Sequence, residues 1–198
     1  MTQCHSSLWY AEKIKNLTLQ MMTQLSTKEL TLRPFRSEDR DRLALLCNNK
    51  KIWDNVRDFL PHPYTEKDAS EFICLCLMET PQTTFAVEYC GELAGCIGLV
   101  LQTDIYRLGA ELGYWFGEPY WGKGIATRAV GLISEYGFQQ LGLERIYSGV
   151  FSFNVASQRV LEKAGFQREG IFKRSILKNG KICDDYRYAK LKPLGEAK

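Results

Sequence analysis

The chain contains 198 residues, of which 45% are hydrophobic and 25% are charged, a length and composition that suit one globular domain with a single sizeable core. Its net charge of +3 is too small to indicate nucleic-acid binding by itself. No apolar run reaches the roughly 18 residues that a membrane span needs, and the segment from Met1 to His5 lacks the regions of a signal peptide. We therefore expect a cytoplasmic protein that binds neither a membrane nor nucleic acid directly.

The cysteines indicate free thiols rather than a disulfide framework or a metal site. Their number is odd, no CxxC pair occurs, and most of them lie among apolar neighbours, which favours burial. His5 and His62 are the only imidazoles. The ligand cluster of a zinc site is therefore missing, and we predict no metal. The 7 cysteines are Cys4, Cys47, Cys74, Cys76, Cys90, Cys96 and Cys183.

The N-terminal segment, residues 1–29, has a weak helical spacing of apolar residues, from which we predict a weakly amphipathic helix. The apolar positions are Leu8, Trp9, Ile14, Leu17, Met21, Met22 and Leu25. The pattern leaves three roles open for this segment: packing on the domain, bridging a dimer, or partial disorder.

The next stretch predicts two helices and three strands. Alternating and β-branched residues predict the strands at 30–35, 83–89 and 93–101. Ser37 is predicted to cap the first helix, and Thr65 the second, with Asp68 in its first turn. Gly91-Glu92 predicts a hairpin turn, and residues 48–64 are typical of a loop.

The second half predicts four more strands and two more helices. The strands are expected at 108–116, 145–151, 166–172 and 182–191, and the first helix at 125–141. Asn154 is predicted to cap the second helix and Gly165 to end it, and Asn179-Gly180 predicts the last turn. The element order predicts one α/β domain whose mixed sheet contains a strand–loop–helix–strand unit.

The loop of that unit, Tyr120-Trp121-Gly122-Lys123-Gly124-Ile125-Ala126, is predicted to bind an anion. Its glycines let the backbone bring several N–H groups close to one ligand, and the helix N-terminus adds unpaired N–H groups and partial positive charge. Phosphate is the natural ligand of such a site. The spacing matches neither the Walker loop nor the dinucleotide fingerprint. Glycines that merely permit a tight turn are the alternative interpretation.

Three segments in order resemble the GCN5-related N-acetyltransferase (GNAT) superfamily, in its RimJ/RimL-like branch. They are Gly109-Ala110-Glu111-Leu112-Gly113-Tyr114-Trp115, the glycine loop, and Asn154-Val155-Ala156-Ser157 leading to Lys163-Ala164-Gly165-Phe166. The resemblance covers residues 30–191. It implies an extension at 1–29, one domain at 30–192 and a tail at 193–198. It also implies a mixed, mostly antiparallel sheet, flanked by helices, whose two central parallel strands splay apart.

The resemblance implies acetyl-CoA as the co-substrate, bound where those strands diverge, and no metal. The pyrophosphate would rest on the backbone of Trp121, Gly122, Lys123, Gly124, Ile125 and Ala126. Trp121 stands where the family pattern has Gln or Arg, but backbone amides need no particular side chain there. Asn154 would hydrogen-bond the pantetheine, act only as a helix cap, or do both.

The resemblance also implies residues for the chemistry. Glu111, on a strand entering the cleft, would be the general base for the amine, and an exposed strand-end carboxylate is the alternative. The backbone N–H near Tyr114 would polarise the thioester carbonyl. Ser157 would assist the leaving thiolate, since Leu161 occupies the place of the tyrosine that many members use; close helix packing is the alternative for this serine.

The acceptor amine is left open by the sequence. A protein N-terminus, including that of a ribosomal protein, a polyamine, an amino acid and an aminoglycoside all fit the mechanism, and a homodimer follows by resemblance. A non-catalytic acyl-CoA-binding module and an RNA-associated protein are the competing functions. Trp53, Phe59 and Tyr64 would line the acceptor pocket or pack ordinarily, and His62 is interpreted as loop structure.

Overall fold

The computed structural model describes residues 24–193, which form one eight-stranded sheet with helices packed against it. The strands are β1 (Leu25–Ser26), β2 (Leu30–Arg33), β3 (Thr84–Tyr89), β4 (Glu92–Leu101), β5 (Gly109–Phe116), β6 (Arg145–Phe151), β7 (Gln167–Lys178) and β8 (Lys181–Leu191). The helices are α1 (Arg40–Cys47), α2 (Lys50–Trp53), α3 (Glu66–Leu77), α4 (Ile125–Gln139) and α5 (Val155–Lys163).

The strand order is β1-β2-β3-β4-β5-β6-β8-β7. All neighbouring strands pair antiparallel except β5 and β6, which are parallel. Helix α4 makes the crossover between those two strands, as a parallel pair requires. The predicted mixed, mostly antiparallel sheet is therefore confirmed.

The parallel pair is short, and this shapes the centre of the sheet. Its ladder ends where Glu111 lies opposite Tyr147, although both strands continue for several residues. Just beyond, the Ser148 hydroxyl donates to the Leu112 carbonyl at 2.9 Å. The remaining parts of β5 and β6 are not paired with each other. The predicted divergence of the two central parallel strands is thus present.

Helix α4 packs tightly on the sheet through a buried apolar face that includes Val130 and Ile133. Gly137 allows this close approach, since a Cβ there would lie 2.9 Å from Ile146 Cδ1. The Tyr136 hydroxyl donates to the Gln82 carbonyl at 2.8 Å. Packing fixes the helix axis, so it also fixes the position of the helix N-terminus and the loop before it.

Several local predictions need correction. Ser37 does not cap α1: a 3₁₀ turn, Ser37–Asp39, precedes that helix, and Asp39 accepts the Arg36 N–H at 2.8 Å. Asp39 is held in place by Arg33, whose guanidinium reaches both carboxylate oxygens. The hairpin turn is Cys90-Gly91, with φ of 52° and 83°, rather than Gly91-Glu92. The ion pair with Arg33 decided the first, and the register of β3 with β4, which pairs Tyr89 with Glu92, decided the second.

Other element boundaries also differ from expectation. Helix α2 lies inside the predicted loop, and β7 runs six residues past Phe172, to Lys178, through an irregularity in its pairing. Leu25 lies in strand β1, paired with Leu32, instead of in a helix. The rest of the predicted N-terminal helix lies outside the described residues.

The cysteines behave as predicted only in part. The six in the described part of the chain are free, and Cys47, Cys76 and Cys96 are buried. Burial raises the pKa of the Cys47 and Cys76 thiols to about 12 and that of Cys96 well above its usual range. Cys74 and Cys90 are exposed, contrary to expectation. No helix within residues 24–193 is both long and apolar enough to span a membrane.

Candidate active site

The glycine loop joins the end of β5 to helix α4, and its two glycines adopt left-handed conformations. Gly122 has φ of +75° and Gly124 has φ of +71°, and a Cβ at either position would meet no atom within 4 Å. Backbone conformation rather than crowding therefore requires glycine here. The space beside both residues is open, as a ligand that approaches the backbone needs.

The N-terminus of α4 leaves its first N–H groups available. Gly124 is the N-cap and supplies no side-chain acceptor, and no acidic residue lies in the first turn, which contains Ile125 and Ala126. Lys123 is exposed beside the loop, with its Nζ 5.8 Å from the centroid of the Tyr120 ring. Free donors, the helix dipole and one cation together make an anion site.

Trp121 anchors the loop. Its Nε1–H donates to the Phe116 carbonyl at 2.7 Å, at the end of β5, while its side chain stays partly exposed. The side chain therefore positions the loop against the strand, and the loop backbone is left free to face a ligand. This is a role that the family pattern, with Gln or Arg at this place, did not predict.

Glu111 lies at the last residue of the parallel ladder, opposite Tyr147. Its side chain is 17% exposed, and Arg57 donates a hydrogen bond to its Oε1. Burial, followed by the negative charge of Glu111, raises the pKa of the Tyr147 hydroxyl. Gly113, two residues along, leaves open space, because a Cβ there would meet nothing within 4 Å. Arg57 is a site residue that the sequence reasoning missed, and its loop position offered no signal.

Tyr114 and Ser157 form a hydroxyl pair on the other side of the sheet from Glu111. Their oxygens are 2.8 Å apart, and Tyr114, three residues after Glu111, points to the opposite face. Burial raises the pKa of the Tyr114 phenol to about 12, although its bond to Ser157 lowers it. The phenol therefore remains a neutral hydroxyl near pH 7. The sequence implicated the Tyr114 backbone and did not anticipate this side-chain contact.

Asn154 caps helix α5. Its Oδ1 accepts the Ser157 N–H at 3.0 Å, which confirms the predicted cap and fixes the turn that presents Ser157. Leu161, at the place of the family's tyrosine, is fully buried. That place faces the core in this chain and offers no hydroxyl, whereas Ser157 lies on α5 and bonds Tyr114 on β5.

A cavity of about 420 Å³ lies on the Glu111 side of the sheet. Its lining comprises Arg57, Asp58, Gly149, Phe151, Phe172, Ser175, Ile176, Leu177, Lys178, Asp185 and Arg187. This volume falls within the range of small-molecule sites. The cavity is thus the structural candidate for the acceptor pocket.

The aromatic residues expected around that pocket do not line it. Tyr64 is buried in the core, and Phe59 is 96% exposed. Trp53 stacks on His62 with ring centroids 5.6 Å apart, and Lys178 Nζ lies 3.7 Å from the Trp53 ring centroid. These contacts support loop structure for His62. Within residues 24–193, no group of three His, Cys, Asp or Glu side chains is arranged to hold a metal.

Residues 29–167 match the family model described as Acetyltransferase (GNAT) domain. The Uncharacterized N-acetyltransferase YoaA of Bacillus subtilis is 39% identical over 102 residues, which span 52% of this chain and 57% of that protein. The Uncharacterized N-acetyltransferase p20 of Bacillus licheniformis is 31% identical, over 86% of this chain and 97% of that protein. The Spermidine N(1)-acetyltransferase of Escherichia coli is 31% identical, over 78% and 82%.

Solved structures share the fold. The Microcin C7 self immunity acetyltransferase MccE, in complex with acetyl-CoA and AMP, has a TM-score of 0.71 at 25% identity over 84% of this chain and 94% of that one. RimL, the ribosomal L7/L12 alpha-N-protein acetyltransferase in complex with coenzyme A, has a TM-score of 0.76 over 85% and 97%, but at 20% identity it bears on the fold alone. The chain belongs to the acetyltransferase (GNAT) family and is an N-acetyltransferase of that type.

Proposed function

We propose that the protein moves the acetyl group of acetyl-CoA to a primary amine by direct attack within a ternary complex. One observation carries this proposal: β5 and β6 stop pairing at Glu111 and Tyr147, and an uncapped helix N-terminus with two open, left-handed glycines follows β5. This geometry supports a pyrophosphate on the loop and a pantetheine arm in the gap between the strands.

The loop residues 121–126 would hold the pyrophosphate through backbone N–H groups, with added charge from Lys123. Asn154 already uses its Oδ1 as a cap, so only its amide N–H₂ remains to donate toward the pantetheine. Acetyl-CoA supplies the acetyl group as a thioester. The backbone of β5 near Tyr114 would stabilise negative charge on the thioester oxygen.

Glu111 would act as the general base. The α-amino group of a protein N-terminus, with a pKa of about 8, is mostly protonated at neutral pH and has to lose a proton before it attacks. A carboxylate that is partly exposed and adjoins the open space at Gly113 can accept that proton, directly or through water. Arg57 holds one oxygen of the carboxylate, which leaves the other for the amine.

The hydroxyl pair would serve the leaving group. A free thiol such as that of CoA has a pKa of about 8.5, so the leaving thiolate needs only modest stabilisation or protonation at neutral pH. Ser157 would donate to the sulfur while the Tyr114 hydroxyl donates to Ser157, since their oxygens are 2.8 Å apart. The high pKa of Tyr114 keeps its proton in place.

The acceptor that we propose is the N-terminal amine of a protein, with a ribosomal protein as one such partner and a homodimer as the assembly. The Putative ribosomal N-acetyltransferase YdaF of Bacillus subtilis, 29% identical over 87% of this chain, bears the name of a ribosomal enzyme, whereas the spermidine relative bears the name of a polyamine enzyme. Polyamines, amino acids and aminoglycosides are therefore the alternative acceptors.

A panel assay tests the proposal. Acetyl-CoA and one amine from each class are incubated with the protein, and free thiol is measured. We expect CoA release that depends on the amine and is fastest with a peptide that has a free N-terminal amine. Equal, slow release with and without every amine would contradict the proposed transfer, and fast release only with a polyamine would contradict the proposed acceptor. Light scattering would report the assembly.

A further inference from the structure

The acidic side chains in or beside the cavity on the Glu111 side carry no excess negative charge for a polycation. Each of these side chains is paired with a basic one among the described residues. The pairs are Glu111 with Arg57, Asp58 with Lys178, and Asp185 with Arg187. Recognition in this cavity therefore depends on hydrogen-bonding groups rather than on net negative charge.

The third pair has two unused hydrogen-bonding atoms. Arg187 Nη2 lies 2.7 Å from Asp185 Oδ2, and the Asp185 side chain is only 7% exposed. Among the described residues, no partner contacts the buried Asp185 Oδ1 or the buried Arg187 Nε. Unsatisfied buried groups are unfavourable, and here one is an acceptor and the other a donor. Their natural complement is a group that presents both a donor and an acceptor.

Gly149 provides the space for this pair. It lies directly opposite Arg187 in the sheet, and a Cβ on it would come within 2.9 Å of Asp185 Oδ1 and 3.4 Å of Arg187 Cζ. Both side chains therefore lie across the Gly149 backbone. Arg187 is the member with room to turn, because its side chain is 32% exposed against 7% for Asp185; its Cζ lies 4.9 Å from the Phe172 ring centroid at the cavity wall.

The register places this pair on the same face of the sheet as the proposed base, two strands across. Glu111 lies opposite Tyr147, and Gly149 follows two residues along β6, about 7 Å further on. Asp185 and Arg187 lie on the next strand, β8. Residues two apart share a face, so Glu111 and the pair lie on the same side of the sheet. An amine at Glu111 would thus direct the rest of its own molecule across this face toward the long side chain of Arg187 and its partner Asp185.

We propose that Asp185 and Arg187 form a subsite for the amide next to the reacting amine. The amide N–H donates to Asp185 Oδ1, and its carbonyl accepts from Arg187 Nε after the guanidinium turns toward the cavity. This inference rests on the proposed transfer and extends it: the enzyme selects α-amino amides, from free amino-acid amides or from peptide N-termini, over polyamines. A polyamine has no carbonyl and would lie beside Arg57 and Arg187.

The first test needs no variant. Alanine N-methylamide and alanine methyl ester differ by one N–H, and their kcat/KM values are compared per neutral amine. We expect the amide to be preferred by about 10- to 100-fold, the worth of one hydrogen bond to a charged group. An alanine-led tripeptide added as a third acceptor distinguishes the two sources, since extra contacts would make it faster than the N-methylamide. Equal values for amide and ester would overturn the subsite.

Substitutions test whether Asp185 and Arg187 cause the preference for the amide over the ester. Asp185→Ala should abolish the amide-over-ester preference, whereas Arg187→Lys should slow both acceptors and keep it, because the ester retains its carbonyl. Asp184→Asn is the matched control: Asp184 bonds Lys173 and the Arg174 N–H instead and should leave the preference intact. Gly149→Ala, which changes no charge, should reduce the preference by displacing Asp185. If the preference for the amide over the ester survives both Asp185→Ala and Gly149→Ala, Asp185 and Arg187 form only a structural ion pair. That result would overturn the proposal.

Failure of this inference is distinguishable from failure of the proposed function. If an alkylamine of matched size or spermidine releases CoA as fast as the amide, transfer stands and the subsite falls. If no amine releases CoA while the folded protein binds it, the transfer itself falls. Binding of CoA, measured by calorimetry, should be the same in wild type and in all four variants.

Discussion

At the scale of single residues, Glu111 and Arg57 determine how the proposed reaction begins. The carboxylate is only partly exposed, and one of its oxygens receives a hydrogen bond from Arg57. That contact fixes the side chain at the end of the parallel ladder. A fixed carboxylate beside open space is the arrangement that general base catalysis needs.

Glu111→Gln keeps the shape of the side chain but removes proton acceptance. We expect kcat/KM to fall by about 10²–10⁴ at neutral pH, and the loss to shrink at higher pH, where more amine is already neutral. Profiles of kcat/KM against pH with one accepted amine would measure this. Glu144→Gln is the control, since that exposed carboxylate contacts Lys192 instead. A near-wild-type profile for Glu111→Gln would mean that another group takes the proton.

Ser157 and Tyr114 are expected to act as one unit. Ser157→Ala and Tyr114→Phe each break the 2.8 Å contact, so each should lower kcat, and the double variant should lose little more than Ser157→Ala alone. The losses should depend little on pH along the amine limb, because neither hydroxyl titrates there. Single-turnover rates of the three variants would give the coupling. Fully additive losses would show that the two hydroxyls work independently.

At the scale of secondary-structure elements, the loop before α4 combines two requirements in one position. Gly124 has a left-handed backbone and open space at its Cα. A leucine there would be strained as well as obstructive, whereas asparagine tolerates this conformation better.

Gly124→Leu should therefore block the pyrophosphate, and Gly124→Asn should weaken CoA binding less. Calorimetric titration of CoA measures both affinities, and circular dichroism confirms that each variant is folded. CoA affinity equal to wild type in a folded Gly124→Leu protein would refute the assignment of the loop.

The N-terminus of α3 predicts a response to acid. Asp68 accepts hydrogen bonds from the Thr65 hydroxyl and N–H, which lower its pKa. A folded-state pKa below the unfolded value of about 3.9 gives stability above that pH, which is lost as the pH falls through the folded value.

Asp68→Asn should therefore lose less stability than wild type on acidification from about pH 5 to about pH 2. Melting temperatures across this range would show it, with Glu71→Gln on the same helix as the control. Separately, Thr65→Ala should cost about 1 kcal/mol of unfolding free energy, as N-cap removal usually does. If the melting temperatures of wild type and Asp68→Asn fall equally on acidification, Asp68 is not the source of the loss.

At the scale of the whole molecule, the sheet begins earlier than the family motifs. Strand β1 pairs Leu25 with Leu32 and Ser26 with Thr31. Deleting residues 1–23 should keep acetyl transfer and CoA binding, since every proposed site residue lies beyond them. Deleting residues 1–26 also removes β1 and should lower the melting temperature further without lowering kcat. A folded, CoA-binding 1–23 deletion without turnover would show that the N-terminal segment belongs to the active site.

Local patterns in the sequence determined the parts of this protein that neighbouring residues control. The loop glycines and the Asn154 and Thr65 caps were predicted, because each depends on contacts within a few residues. The order of the elements from β2 to β8 was predicted as well, except that the short helix α2 was missed, as was strand β1 before them. The motifs also singled out Glu111 and Ser157, whose roles in the reaction stay predictions. Ser37 as a cap and Gly91-Glu92 as a turn were wrong, because Arg33 and strand pairing set those places.

Only the tertiary structure brought together the pairs on which the proposed chemistry depends. Arg57 and Glu111 are 54 residues apart in the chain, and Tyr114 and Ser157 are 43 apart. Asp185 and Arg187 are neighbours in sequence, but Gly149 on another strand gives them their space. Such contacts depend on strand order and register, in which distant residues meet. Periodicity along the chain records the conformation of each segment and contains no information about which segment will lie opposite it.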